Sequence, residues 1–317
     1  MKQKMKLLIG YDGSANADAA LDDLQQAGLP DNCEALLMSV AEVWLPPPSS
    51  YEVLGMVDEE SLPAVHFTYE PQLKKLEIAK QSVSRAEDRL RAKFPSWDIS
   101  NEVGSGSPAW ELLFKANQWK PDLIVVGSHG RSALGRFILG SVSQKIVTEA
   151  SCSVRVARGR VEEPSPVRIV LATDGSPGAE AAVRAVGDRH WPAQSEVRIV
   201  IVDDPFEPTV AGEFIPGVRE AVDDAEVAFR EKITRMVNDA AANLSSHTLS
   251  ATGVVKEGNP KKEIVRLAEE WGANCIFVGS TGFSNPLERL LIGSVASAIT
   301  TRAHCSVEVV REPKYGT

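Results

Sequence analysis

The chain has 317 residues, 43% of them hydrophobic and 24% charged, with a formal net charge of −9. That length suits two domains of about 100–200 residues each, and the acidic balance argues against a duplex-binding surface, which needs clustered Lys and Arg. No run approaches the ~18 uninterrupted apolar residues of a membrane span, so neither nucleic acid nor a membrane is expected as a partner.

The opening MKQKMKLLIGYDGS has too short an apolar run for a signal peptide. Cys33, Cys152, Cys275 and Cys305 lie far apart with no CxxC pair, which fits reduced thiols and a cytoplasmic location. KLLIGY is an apolar run of strand length, and ANADAALDDLQQAG follows with helical spacing and a Gly stop. EALLMSVA is the second strand. Residues 42–69, which include LPPPSS, read as a long surface loop without chemistry of its own. From about Glu70 to Phe94 an amphipathic helix is predicted, with Leu73, Leu76, Ala79, Val83, Ala86 and Leu90 at steps of three or four. WDISNEV alternates like a strand, and Ser107-Pro108 starts a helix with Pro at its first position. DLIVVG is wholly apolar, as a parallel strand buried on both faces should be. After a Gly-rich loop, Val142, Ile146 and Ala150 mark a short helix, and SVRVA closes the series.

The chain then repeats itself. RIVLATDGSPGAEAAV echoes KLLIGYDGSANADAAL, KEGNPKKEIV echoes GSGSPAWELL, NCIFVGSTG echoes DLIVVGSHG, and GSVASAITTRAHCSVEV echoes GSVSQKIVTEASCSVRV. The order is kept, so one domain has been duplicated. The boundaries predicted are 1–157 for the first domain, 158–166 (RGRVEEPSP) for an exposed linker, and 167–317 for the second. Five strands alternating with four helices per copy give two tandem doubly wound, Rossmann-like α/β domains, each a five-stranded parallel sheet flanked by helices. The closing strands SVRVA and SVEVV would be bare edges if left alone, so the two copies are expected to pack as an intrachain pseudo-dimer.

In open α/β sheets, ligands bind beyond the strand carboxyl ends where the winding reverses. Two loops per copy stand there: Asp12-Gly13-Ser14 after strand one, and GSHGRSALGRFILGS, residues 127–141, after strand four. If both serve one ligand, strands one and four are neighbours. Gly127 and Gly130 can take positive φ and let a ligand approach the main chain closely. Gly140-Ser141 stands at a helix start, where unpaired N–H groups and the macrodipole favour an anion. Ser141 and Ser143 add hydroxyls there, so a phosphate or polyphosphate is the expected guest. Asp12 would hold ribose hydroxyls or a phosphate-bound Mg²⁺. A plain helix cap and a plain turn are the alternative reading of the same residues.

The pattern G-2x-G-9x-G-S, filled by Gly127, Gly130, Gly140 and Ser141, resembles the ATP-binding signature of the universal stress protein family. The DGS after strand one, the Ser39-Val40 ending strand two and the Cys before the last strand are similar to that family too. The resemblance covers about residues 6–157 and 167–311. It implies a five-stranded parallel α/β fold, association through the last strand, and, in some members, bound ATP. Carried over, Asp12 meets the ribose and metal, Val40 the adenine, and Gly127, Gly130, Gly140, Ser141 and Ser143 the phosphates. Arg131 follows Gly130 and is a further phosphate candidate, as are Arg136 and Arg289, with a solvated Arg as the alternative. In copy two, Asp174, Val202, Gly279, Gly282, Gly293 and Ser294 remain in place. Ten residues rather than nine separate Gly282 from Gly293, and Ala296 replaces Ser143, so the first site is expected to bind more tightly.

The expected function is an ATP-binding, stress-response regulatory protein with Mg²⁺ and at most weak ATPase activity. His129 reads as a loop residue, because no Ser–His–Asp order surrounds it and its counterpart is Thr281. Two alternatives stay open: a nucleotide hydrolase or transferase, for which His129 is the sole candidate base, and a nucleotide-free scaffold. Cys152 and Cys305 read as small apolar core thiols. Two such chains are further expected to pair as a homodimer.

Overall fold

A computed structural model describes residues 4–43, 62–130, 139–159, 166–204, 218–282 and 292–312, with side chains in the two long helices from residues 71 and 224 onward. The first half runs β1 (Met5–Gly10), α1 (Ala15–Asp23), β2 (Cys33–Ala41), α2 (Leu62–Lys93), β3 (Asp98–Ser105), α3 (Pro108–Trp119), β4 (Leu123–Gly127), α4 (Ser141–Glu149) and β5 (Ser153–Ala157). The second repeats it as β6 (Arg168–Ala172), α5 (Pro177–Gly187), β7 (Ser195–Asp203), α6 (Val218–Leu244), β8 (Leu249–Glu257), α7 (Pro260–Trp271), β9 (Cys275–Gly279), α8 (Ser294–Arg302) and β10 (Ser306–Val310).

All ten strands form one sheet in the order β3-β2-β1-β4-β5-β10-β9-β6-β7-β8. Within each half the pairing is parallel, and β1 lies between β2 and β4, so the winding reverses at β1/β4 as the sequence implied. The halves join through β5 and β10, which run antiparallel with Val156 opposite Val307, Arg155 opposite Glu308 and Val154 opposite Val309. The expected intrachain pairing of the closing strands is therefore present, and it turns two sheet edges into the centre of a single sheet.

Strand alternation explains what lies on either side of that joint. Val154 and Val156 face one way and join Val307, Val309, Ile146 and Ile299 in a core that runs without a break under α3, α4, α7 and α8 of both halves. On the other face each half has its own core: Leu7, Ile9, Leu21, Val83 and Leu90 in the first, Ile169, Leu171, Val186, Ile233 and Val237 in the second. Between those two cores lie Arg155 and Glu308, 0% and 1% exposed. Arg155 binds Asp23 of α1 twice, Nε to Oδ2 at 2.6 Å and Nη2 to Oδ1 at 3.1 Å, and reaches Glu308 Oε2 at 3.3 Å. Glu308 also pairs with Arg189, whose Nη1 donates to the Ala27 carbonyl at 2.5 Å. Ser306 donates to Asp23 at 2.6 Å. Burial pulls the Arg155 pKa down, but Asp23 and Glu308 outweigh it and leave the guanidinium held above its ordinary range.

Two expectations need correction. Helix α2 begins at Leu62, so residues 62–69 are helical rather than loop. Pro63 stands in the first turn, where proline is tolerated, and Pro71 lies inside the helix. The remaining loop residues 44–61 lie outside the described residues. Arg158 is no exposed linker residue: its N–H donates to Ser306 Oγ at 2.9 Å and its Nη2 to the Thr300 carbonyl at 2.5 Å, both in the other half.

Candidate functional site

Each Asp-Gly-Ser turn is built the same way. Gly13 and Gly175 take φ of 76° and 77°, where a side chain would be strained. The turn lets Asp12 Oδ1 accept from the Ser14 N–H at 2.9 Å, while Ser14 Oγ caps α1 at Ala17 N–H, 3.1 Å away. Asp174 and Ser176 do the same at α5. One carboxylate oxygen is thus committed to the turn. The other points across the crevice: a methyl carbon on Gly130 would stand 2.9 Å from Asp12 Oδ2, and one on Gly282 2.7 Å from Asp174 Oδ2. The two loops of each copy therefore meet, as expected from their places at neighbouring strands.

The reason for Gly127 differs from the one expected. Neither it nor Gly130 has a positive φ. Instead, a methyl carbon on Gly127 would stand 2.9 Å from the Asn16 carbonyl oxygen, and one on Gly279 2.4 Å from the Gly178 carbonyl carbon. Bare backbone at these strand ends lets the first helix of each half pack against the sheet.

The helix entries behave otherwise. Gly140 and Gly293 are N-caps with ordinary extended backbone, φ −63° and −62°, and neither helix has a side-chain cap. Each glycine N–H donates into its own loop, Gly140 to Ser128 O at 2.8 Å and Gly293 to Ser280 O at 2.7 Å. The first-turn N–H groups beyond them carry no side-chain cap, and Ser141 and Ser294 are exposed there, the arrangement that receives an anion. Ser143 does not join them. It is buried, and its hydroxyl donates to the Gly127 carbonyl at 2.6 Å, so its hydrogen is spent within the loop. The contact that Ala296 was expected to lack in copy two is therefore not a contact in copy one either.

In copy two the site residues surround one cleft of about 410 Å³. Asp174, Val202, Gly279, Gly282, Gly293 and Ser294 all line it, with Thr281 on the loop and Pro260 and Ile264 on α7. The last two were missed from sequence; they are four apart at the start of a helix, so they share a face. In copy one, Ser141 lies on a groove of about 500 Å³ between the starts of α3 and α4, with Glu42, Pro108 and Lys145. Val40 is half-buried at the end of β2 beside Gly104 of β3. Arg131, Arg136, Arg289 and the extra residue of the second loop lie outside the described residues.

His129 is 8% exposed, its Nδ1 3.0 Å from Ser128 Oγ and its Nε2 without a hydrogen-bond partner. Burial, aided by the nearby Arg158 charge, lowers its pKa and keeps it neutral near pH 7. Burial also pushes all four thiols up to about 12, so they stay protonated, as core thiols should. Among the described residues no cluster of His, Cys, Asp and Glu could hold a metal by itself, and no helix is long and apolar enough to cross a membrane.

The profile of the universal stress protein family matches residues 5–158 and again 167–311. Universal stress protein Rv2005c of Mycobacterium tuberculosis is 25% identical over 316 residues, covering 96% of this chain and 97% of its own. MJ0531 of Methanocaldococcus jannaschii is 32% identical over 149 residues, 46% of this chain and 83% of its own. Among solved structures, a functionally unknown protein from Pseudomonas aeruginosa, PA1789, superposes with a TM-score of 0.62 at 13% identity, covering 98% of this chain and 93% of its own. A universal stress protein from Archaeoglobus fulgidus gives 0.51 at 21%, covering 98% and 97%. These two share the fold. With both halves matched by one profile, the chain belongs to the universal stress protein family and carries two copies of its domain.

Proposed function

We propose that this chain is a stress-response regulatory protein of the cytoplasm that binds an adenine nucleotide, ATP with Mg²⁺, and hydrolyses it slowly or not at all. The observation that carries the reading is the cleft of copy two, where an Asp, a glycine-bounded loop and an uncapped helix entry converge on one space. Its chemistry is divided as a nucleotide requires. Val202, Pro260 and Ile264 offer an apolar wall for a base, Asp174 a free carboxylate oxygen for a ribose hydroxyl, and Ser294 with its first-turn N–H groups a seat for phosphate. Mg²⁺ fits as an ion held chiefly by the phosphates, with Asp174 or Asp12 as the single carboxylate. The chain's part is to bind the nucleotide and orient it. In copy one His129, the candidate base, is buried with its Nδ1 beside Ser128 Oγ, which favours regulation by occupancy over turnover. The family spacing keeps copy one, with Asp12, Val40, Gly130, Gly140 and Ser141, in the same proposal as a second seat.

The test is direct. Small molecules released from freshly purified protein should include an adenine nucleotide by mass, and ATP titration of wild type should be repeated on Gly140→Val and Gly293→Val. Both glycines have backbone angles open to a side chain, but a Cβ would stand 3.4 Å and 3.3 Å from loop backbone atoms at Gly140 and Gly293, so folding of each variant is checked by circular dichroism. Each single variant is expected to lose the seat of its own copy and keep the other, with Gly140→Val removing the tighter one. Undiminished ATP binding in the double variant would overturn the site, and absence of any ATP or ADP binding at millimolar concentration would overturn the function.

A further inference from the structure

The pairing of β5 with β10 is nearly two-fold symmetric, and one position breaks the symmetry. SVRVA and SVEVV are equivalent strands, so Arg155 and Glu308 occupy the same place in the two copies. They also stand opposite each other, while Val154 and Val156 face Val309 and Val307. The pseudo-two-fold axis therefore passes through the Arg155–Glu308 pair. The flanking charges are asymmetric too. The DGS alignment puts Ala185 of half two where half one has Asp23, and Ala27 of half one where half two has Arg189. Across the joint the signs alternate, Asp23, Arg155, Glu308, Arg189, with each neighbour in contact and each side chain almost fully buried.

Replace one half by a second copy of the other and the alternation fails at the axis. Two copies of half one would bring Arg155 against its own equivalent; two copies of half two would oppose two Glu308 carboxylates. Buried like charges lack the water that screens them at a surface, and juxtaposed like charges are how interfaces reject wrong partners. The backbone ladder and the flanking valines would accept either pairing, because their pattern is the same in both strands. We propose that this buried charge ladder is a pairing code: the closing-strand edge of each half accepts the other half and rejects a second copy of itself. The code is independent of what the clefts bind. It follows that the edge used for self-association is consumed within the chain, and any homodimer of chains forms through another surface.

The test uses the full chain with a protease site inserted between Arg160 and Ser165, folded first and then cut. Two such preparations, one isotope-labelled, are mixed and their exchanged complexes weighed by native mass spectrometry. Only particles of one first half and one second half are expected; homotypic pairs of either half would overturn the proposal. The same nicked protein carrying Glu308→Arg presents two guanidinium groups at the axis and should dissociate at least about tenfold more readily than wild type. Glu308→Gln keeps the shape and loses only the attraction, so it should loosen the complex by a smaller factor. Should Glu308→Arg fail to fold, Glu308→Gln decides alone. Wild-type dissociation by either variant, or equal loosening by both, would show that complementarity of charge does not select the partner.

Discussion

Arg155→Met tests how the joint is held. The wild-type guanidinium is fully buried and makes two hydrogen bonds to Asp23 and one to Glu308. Methionine fills much of the same volume, so the change removes charge and donors with little cavity. The two carboxylates then differ in what they keep. Glu308 retains Arg189, whereas Asp23, 2% exposed, retains only the Ser306 hydroxyl. A charge left buried without its partner costs about 3–5 kcal/mol. At about 2.1 cal/mol/K of unfolding entropy per residue, a chain of 317 residues should have its melting transition lowered by about 4–8 °C. Adding Asp23→Leu should recover most of the loss, because apolar replacements of buried pairs are often neutral or stabilising. The assay is urea and thermal unfolding of the three proteins at pH 7.5. A loss below about 1 kcal/mol for Arg155→Met, or a double variant no better than the single, would refute the reasoning.

Three other outcomes are expected. Gly279→Ala and Gly127→Ala place a carbon 2.4 Å and 2.9 Å from backbone atoms, so each should lose about 1–3 kcal/mol in urea unfolding, the former more; a wild-type midpoint for Gly279→Ala would contradict the close packing of α5 on β9. Ser143→Ala should lower stability by about 1 kcal/mol through the lost bond to Gly127 while leaving ATP affinity unchanged, and a drop in affinity would restore the hydroxyl to the site. His129 has a folded-state pKa depressed below its ordinary 6.5, so stability is intact above about pH 6.5 and falls on acidification, by at most about 1.4 kcal/mol per pH unit; His129→Gln should flatten the wild-type decline between pH 6.5 and 5, and an unchanged slope would show that the ring protonates freely in place.

Much of the fold was legible because its signals are local or repeated. Apolar runs such as LLIG and LIVVG mark buried parallel strands, and the duplicated blocks fix the topology twice over. The meeting of Asp12 with Gly130 followed from strand adjacency alone. Sequence reading misjudged the glycines because a strand-end glycine admits three causes, a left-handed turn, a ligand, or close helix packing, and only coordinates separate them. At Gly13 the cause is φ; at Gly127 it is the Asn16 carbonyl. Ser143 misled for a similar reason, since a first-turn serine hydroxyl can serve a ligand or the adjacent loop. The start of α2 was misplaced because the apolar spacing that marks the helix begins only at Leu73, which left residues 62–69 with the preceding loop. The charge ladder could have been read: opposite charges at the centre of two otherwise apolar, equivalent strands is an unusual pattern. Its partners Asp23 and Arg189 could not, because their contacts span more than a hundred residues.

The joint and the clefts are not separate parts of this molecule. Arg158, leaving the first half, donates to the Thr300 carbonyl in the last turn of α8, and Arg311, leaving the second, donates to the Val147 carbonyl in the last turn of α4, each at 2.5 Å. Burial lowers both guanidinium groups only to about 10, so both stay charged at neutral pH. A cation at a helix C-terminus is the counterpart of an anion at its N-terminus, and each is favoured by the same macrodipole. The N-termini of these two helices are the uncapped entries at Gly140 and Gly293, where the proposed phosphates sit. Each anion seat is thus one end of a nine-residue helix whose other end is gripped by the opposite half, a span of only ~13 Å. Pairing the halves fixes the helices, and fixing the helices sets the aim of the N–H groups on which the proposed nucleotide binding would depend.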